Sequence, residues 1–146
     1  MGMKRWLVLF IAAFALYHVW STHHLAREMD GYEMQTGANG FVHLPAAPQG
    51  HSAGDVYVVA AENCPEEAAR RADGLYEQLV QAGVSVRRTH RVEFEFEQPL
   101  PRTAQRKLDQ IMNDALPLVF IGNRVQPNPG FEAVMAELSQ SLQPSQ

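Results

Sequence analysis

The stretch Val56-Tyr-Val-Val-Ala-Ala-Glu-Asn-Cys-Pro-Glu-Glu67 decides the fold of this chain of 146 residues. Its first part, 56–61, is apolar and rich in valine, which is typical of a strand that is buried on both faces. Pro65 and the glutamates after it favour a helix start, because proline suits the first turn and carboxylates stabilise the positive end of the helix dipole. Asn63 or Cys64 is the expected N-cap. A strand that leads directly into a helix indicates an α/β domain.

Hydrophobic periodicity predicts the remaining elements. Apolar residues at helical spacing predict helices near 65–82, 103–114 and 129–142. Alternating or continuous apolar runs predict strands near 56–61, 84–96, 118–121 and 124–126, with Gly122-Asn123 as a hairpin turn before the last strand. The predicted core is Leu75, Leu79, Phe94, Leu108, Ile111, Val119, Phe120, Val134 and Leu138. The order β-α-β-α-β-β-α starts with a parallel strand pair and a right-handed crossover, and we expect a four-stranded mixed sheet with helices on both faces.

This order, with a Cys-Pro pair at the start of the first helix, resembles the glutaredoxin branch of the thioredoxin-like fold. Asn63-Cys64-Pro65-Glu66-Glu67 looks like the Cys-Pro-x-Cys site of that family, with Glu67 at the second cysteine position. Leu116-Pro117-Leu118-Val119-Phe120-Ile121 looks like the family's Val-Pro-x-Val-Phe-Ile segment, in which the proline is cis and faces the cysteine. The resemblance covers residues 55–142 and implies a thioredoxin-like fold for them.

The resemblance implies Cys64 as the catalytic nucleophile and Leu116 and Pro117 as substrate-binding residues, with the Leu116 backbone pairing with an extended peptide. The chain has only 1 cysteine, so the chemistry would be monothiol and would pass through a mixed disulfide with glutathione or with a protein thiol or disulfide. Gln126-Pro127-Asn128-Pro129-Gly130 stands where glutaredoxins hold glutathione, and its prolines lack backbone donors. We therefore assign no cofactor, and glutathione stays open as an alternative.

The charges near Cys64 leave its reactivity open. A position at a helix N-terminus stabilises a thiolate, whereas Glu66 and Glu67 oppose it as like charges. We expect Arg70 and Arg71 to lie too far along the helix to compensate. Two functions therefore remain: a monothiol thiol–disulfide oxidoreductase that uses Cys64, and a redox-inactive thioredoxin-like module that binds a partner or assists assembly at a membrane.

The N-terminus predicts a membrane anchor. Lys4 and Arg5 precede an apolar run, 6–20, that begins with Trp6 and ends with Trp20. Tryptophans prefer the two membrane interfaces, and no small-x-small cleavage site follows the run. The flanking cations place the N-terminus in the cytoplasm, so the domain would face outward, in the periplasm if the protein is bacterial. We predict a single-pass membrane protein that contacts the bilayer through residues 6–20.

The domain boundaries follow from these segments. We predict an anchor at 1–26, a flexible, glycine-rich linker at 27–54, a thioredoxin-like domain at 55–142 and a tail at 143–146. A formal net charge of −4 and the lack of a basic face argue against nucleic-acid binding.

The scattered histidines and a basic cluster are the other candidate sites. The histidines, which include His43 and His51, lack the spacing of metal ligands, so we predict no metal site. Arg87, Arg88, His90 and Arg91 form the basic cluster. We expect them to pair with Glu93, Glu95 and Glu97, and an anionic ligand is the alternative.

Overall fold

A computed structural model describes residues 34–52 and 54–141, together with Phe14 and Tyr17. Apart from those two residues, the predicted anchor at 1–26 lies outside the described residues, as do Leu142 and the predicted tail at 143–146. Within the described part of the chain, no helix has both the length and the apolar character that are needed to cross a bilayer.

The domain contains five strands and three helices in the described ranges. The strands are β1 (Val42–His43), β2 (Val56–Val59), β3 (Val86–Thr89), β4 (Leu118–Ile121) and β5 (Arg124–Pro127). The helices are α1 (Glu66–Gln81), α2 (Arg102–Met112) and α3 (Phe131–Ser141). From β2 onward the predicted order β-α-β-α-β-β-α is confirmed, and so is the α/β class with a mixed sheet.

The sheet has the strand order β1-β5-β4-β2-β3. β2 and β3 are parallel, as a strand-helix-strand unit requires, and every other neighbouring pair is antiparallel. The predicted hairpin joins β4 to β5, with Ile121 opposite Arg124. Gly122 has a φ of 57° at the first position of this turn, which is the glycine position of a type II′ hairpin.

Each face of the sheet carries its own hydrophobic core. Alternate residues of β2 and β4 point to opposite faces, because the side-chain period of a strand is two residues. Val56 and Val58 pack with α1 and α3, whereas Tyr57 and Val59 pack with α2. The helices therefore cover both faces, as predicted. Of the predicted core residues, Phe94 and Leu138 are only half-buried.

Helix α1 ends where its sequence predicts, but it begins with a different N-cap. Its N-cap is Pro65, which makes no side-chain capping bond, so the expected cap at Asn63 or Cys64 is wrong. Its C-terminus agrees with the glycine signal, because Gly83 has a φ of 76° and the amides of Gly83 and Val84 donate back to Val80 and Leu79. This pair of bonds is the Schellman motif.

The predicted strand at 84–96 is too long. Ladder pairing stops at Thr89, opposite Val59, because β2 ends there and its chain turns away toward α1. Among the described residues, no strand pairs with residues 91–96, although the amide of Gln49 donates to the carbonyl of Glu93 at 2.8 Å. The alternation of apolar and charged residues is kept. Val92, Phe94 and Phe96 still pack against the core on the α2 face.

The second half of the predicted linker belongs to the domain. The described residues from Met34 onward form one compact unit, and residues 42–43 add a fifth strand beside β5. Phe41, Val42 and Leu44 are buried. The prediction of a flexible tether is corrected for this part of the chain, because its few apolar residues occupy the cores of both faces.

Candidate functional site around Cys64 and Pro117

Cys64 lies in the turn between β2 and α1. Its backbone amide donates to the carbonyl of Ala61 at 3.1 Å, which closes the turn directly before the helix. The side chain is half-buried against the core on the α1 face, and the cysteine is not in a disulfide. Cys64 therefore combines a fixed backbone with partial access to solvent.

Leu116 and Pro117 lie directly before β4. The Leu116–Pro117 peptide bond is cis, as predicted. The carbonyl of Pro117 accepts a hydrogen bond of 2.7 Å from the amide of Asn128, which has a φ of 43°. This bond ties the loop before α3 to the start of β4.

The sheet places Cys64 and Pro117 at the same end of the molecule. β2 and β4 are antiparallel neighbours, and Val59 at the end of β2 lies opposite Leu118 at the start of β4. The segment that leaves β2 and the segment that enters β4 must therefore lie at the same end of the sheet. The three predicted site residues, Cys64, Leu116 and Pro117, all lie at that end.

Arg71 connects helix α1 to the Leu116 segment, a contact that the sequence does not predict. Its Nη1 donates to Oε1 of Glu67 at 2.8 Å, and its Nη2 and Nε donate to the carbonyl oxygen of Leu116 at 3.1 and 3.4 Å. Glu67, at the position of the second cysteine in the family motif, thus holds an arginine on the residue before Pro117. Arg71 and Glu67 are one helical turn apart and form an ion pair. The expectation that Arg70 and Arg71 lie too far along the helix to compensate at Cys64 stays a prediction.

Glu66 and Arg70 form the equivalent pair one residue earlier. Their charged atoms are 3.8 Å apart and both side chains are largely exposed. No contact of Arg70 with the Leu116 segment is present among the described residues. The pair has the same spacing without the second contact, which makes it a matched control for Arg71.

The basic cluster has partners other than the predicted ones. Arg87 pairs with Asp55 at 3.2 Å, and Arg88 pairs with Asp73 of α1. The expected pairing of Arg87 and Arg88 with the glutamates at 93–97 is therefore wrong. These glutamates lie beyond the end of β3, whereas Asp55 lies next to the start of the neighbouring strand.

His90 contacts the backbone next to β2. Its Nδ1 lies 2.9 Å from the carbonyl oxygen of Ala60, at the end of β2. This contact connects the end of β3 with the turn that carries Cys64.

His51 is a half-buried residue that the sequence places in the linker. Its ring stacks on Tyr57 with centroids 3.5 Å apart and meets Phe120 edge-on at 5.9 Å. Its Nδ1 is buried and has no hydrogen-bond partner among the described residues. No group of three or more potential metal ligands is found in that part of the chain. Burial lowers the pKa of His51 from its usual 6.5, because the charged ring loses its solvation.

This lowered pKa predicts a pH dependence of stability. Below pH 6.5 the unfolded chain takes up a proton at His51 that the folded protein does not, so the free energy of unfolding should fall as the pH drops through 6.5 toward the folded pKa. His51→Phe should remove this part of the dependence, and His43→Phe, at an exposed position of the same segment, should keep it. Urea unfolding between pH 7.5 and 5 measures the effect, and identical pH slopes in wild type and His51→Phe would refute it.

Glu137 is a buried charge that the periodicity of α3 conceals. Its side chain is 2% exposed, and its two oxygens accept from Arg124 of β5 at 2.5 Å and from Asn39 at 2.9 Å. Three segments that are distant in sequence therefore meet at one carboxylate. Only the contrast of a glutamate among apolar neighbours in the helical stripe could have marked it in the sequence.

Comparisons with protein-family models, with curated proteins and with solved structures found no match.

Proposed function

We propose that the chain is a membrane-anchored, glutaredoxin-like protein of the thioredoxin-like fold, with its domain outside the cytoplasm and monothiol thiol–disulfide chemistry at Cys64. One observation carries the proposal. The single cysteine of the chain lies, half-buried, in the turn before α1, at the same end of the sheet as Leu116 and Pro117, which directly precede β4. The element order from β2 to α3 and the position of Pro117 directly before β4 support it, since the resemblance rests on both.

The proposed reaction needs an external thiol. The Cys64 thiolate attacks one sulfur of a disulfide, the Cys64–sulfur bond forms, and the other sulfur leaves as a thiolate that takes up a proton. Glu67 occupies the position from which a second cysteine would resolve the mixed disulfide. A second thiol, from glutathione or a protein, must therefore attack Cys64's partner sulfur and release the Cys64 thiolate.

Ion pairing supports a reactive Cys64. Glu67, one of the two carboxylates expected to oppose the thiolate, is paired with Arg71 at 2.8 Å. This pair offsets part of the negative charge near the start of α1. The dipole of this helix, which is 16 residues long, favours an anion at the same end.

A redox-inactive binding module is the second candidate. It is favoured by Glu67 and its bond to Arg71, because this ion pair stands where the resemblance places a second cysteine. Under this alternative Cys64 is an inert part of the turn, and the site serves for partner binding alone.

The experiment uses the single cysteine as its own reporter. We expect a membrane-impermeant maleimide to label the full chain in intact spheroplasts of a bacterial host, because Cys64 is partly exposed and the positive-inside rule places it outside. Labelling that requires membrane permeabilisation would overturn the proposed orientation. Labelling that requires denaturation would overturn the accessible thiol and favour the binding module.

A mixed-disulfide assay then tests the chemistry. The purified full chain in detergent should form an adduct with bis(2-hydroxyethyl) disulfide at pH 7 at least about tenfold faster than an unstructured cysteine peptide, because the positive end of a helix dipole favours a negative charge on the attacking sulfur. Mass spectrometry follows the adduct, Cys64→Ser gives the background, and added glutathione should reverse it. A rate equal to that of the peptide would refute the oxidoreductase proposal.

A further inference from the structure

Two grooves run along helix α1 and meet at Arg71. The proximal groove is lined by α1 residues between Pro65 and Arg71 and by the segment 114–116. The distal groove is lined by α1 residues between Arg71 and Gln78, by Pro117 and by the loop 128–131. Each has a volume of about 370 Å³. Cys64 lines neither of them, so their use does not depend on thiol chemistry.

Glu67 and Leu116 hold the guanidinium of Arg71, which still has unused N–H donors. A guanidinium carries about five N–H donors in a planar fork. The contacts with Glu67 and Leu116 use Nη1, Nη2 and Nε once each, and the side chain is 39% exposed. One N–H on each terminal nitrogen is therefore left over. An arginine fixed in this way is suited to a carboxylate, which accepts from two parallel N–H groups.

The distal groove offers no other charge. Besides Arg71, the described residues that line it are glycine, leucine, glutamine, proline, asparagine and phenylalanine. Leu75, Pro117 and Phe131 provide apolar surface in this groove. A ligand that fits it would place one anionic group at Arg71 and an apolar side chain farther along.

Gly74 keeps the wall of the distal groove open. It lies in the interior of α1, where glycine costs about 1 kcal/mol relative to alanine. A Cβ atom at this position would meet nothing within 4 Å, and the same holds for Gly130 on the opposite wall. Internal packing does not explain this glycine, whereas a side chain supplied by a partner would fill the space in front of it.

We propose that the distal groove binds a short extended segment of a partner protein, with a carboxylate on Arg71 and an apolar side chain beside Gly74. The distance along α1 from Arg71 to Gln78 is about 10 Å, which is the length of about three extended residues. Glu67 positions the guanidinium through one donor of Arg71 and leaves the spare N–H groups to the ligand. The carboxylate can come from an acidic side chain or from a chain terminus.

Three peptides test the proposal and separate the two sources. Acetyl-Glu-Ala-Leu-amide carries a side-chain carboxylate, acetyl-Leu-Ala-Gly carries a free C-terminal one, and acetyl-Gln-Ala-Leu-amide carries none. NMR titration of the full chain in detergent would follow the Nε–H signal of Arg71 and the backbone amide of Gly74. We expect at least one anionic peptide to bind about tenfold more tightly than the neutral peptide, and to shift both signals.

Variants of α1 supply the controls. Arg71→Gln should weaken the anionic peptide about tenfold, whereas Arg70→Gln should change its affinity less than about twofold, because exposed charges contribute little. Gly74→Leu should block binding while helix α1 stays intact, since leucine is a better helix former than glycine.

Each contrary result overturns the proposal. Equal affinity for the anionic and neutral peptides would show that Arg71 does not recognise a carboxylate. Unchanged binding in Gly74→Leu would show that the peptide binds outside the distal groove. Absence of any shift at millimolar peptide would show that the groove binds no such segment, and a normal mixed-disulfide rate in the same sample would leave the chemistry of Cys64 standing.

Discussion

Replacing Glu137 by glutamine is expected to lower the free energy of unfolding by about 3 kcal/mol or more, because the change leaves a half-buried guanidinium without its counter-charge. Glu137 is 2% exposed and Arg124 is 15% exposed, so water cannot take over the lost interaction in full. The bond from Asn39 to the same carboxylate is weakened as well. Urea unfolding followed by circular dichroism measures the change.

Two further variants separate the buried ion pair from general effects of substitution. Glu132→Gln, at an exposed position in the first turn of α3, should change stability by less than about 0.5 kcal/mol. The double variant Arg124→Met and Glu137→Leu should be more stable than the sum of the single changes predicts, because apolar groups replace both partners. Strictly additive effects, or equal losses in Glu137→Gln and Glu132→Gln, would contradict a network centred on Glu137.

Phe41→Ala is expected to cost about 3–5 kcal/mol, because it removes a large side chain from a closely packed core and leaves a cavity. The ring is 0% exposed and belongs to the cluster that α1 and α3 form with the sheet. The loss would be a large part of the roughly 5–15 kcal/mol that stabilises an ordinary domain. The midpoint of urea unfolding should therefore shift markedly.

The control lies in the same segment. Gln35→Ala, at an exposed position, should leave the midpoint almost unchanged. If Phe41→Ala abolishes folding, the milder Phe41→Leu should still unfold cooperatively at a lower urea concentration. An effect of Phe41→Ala as small as that of Gln35→Ala would mean that residues 34–44 contribute little to the domain, as the sequence had predicted for a flexible linker.

Elements with a strong local pattern could be predicted closely. The valine-rich run at 56–59, the stripe of Ala68, Ala72, Leu75 and Leu79 on α1, and the Gly122 turn are each encoded by neighbouring residues. Residues 91–96 show what hydrophobic periodicity alone does not determine. Alternation there predicts the buried face correctly, but a strand also needs a partner, and β2 ends too early to provide one.

In the candidate site, too, local motifs could be predicted, whereas contacts between distant segments could not. Cys64, Leu116 and Pro117 were found through motifs that are contiguous in sequence. Arg71 was missed because a helical charge pair with Glu67 has an ordinary local explanation, which hides its bond to a carbonyl 45 residues away.

The sequence by itself determined the order of the elements, their apolar faces and the identity of the lone thiol, because periodicity, turn residues and composition act within a few neighbouring positions. Only the tertiary structure decided that residues 42–43 join the sheet, that Arg71 lies on Leu116, and that Asn39 and Glu137, 98 residues apart, share a hydrogen bond. These contacts join segments that are distant in sequence, and the local pattern of one segment does not indicate which other segment it contacts. Their geometry is set by the packing of both cores and by the cost of leaving a buried polar group without a hydrogen bond.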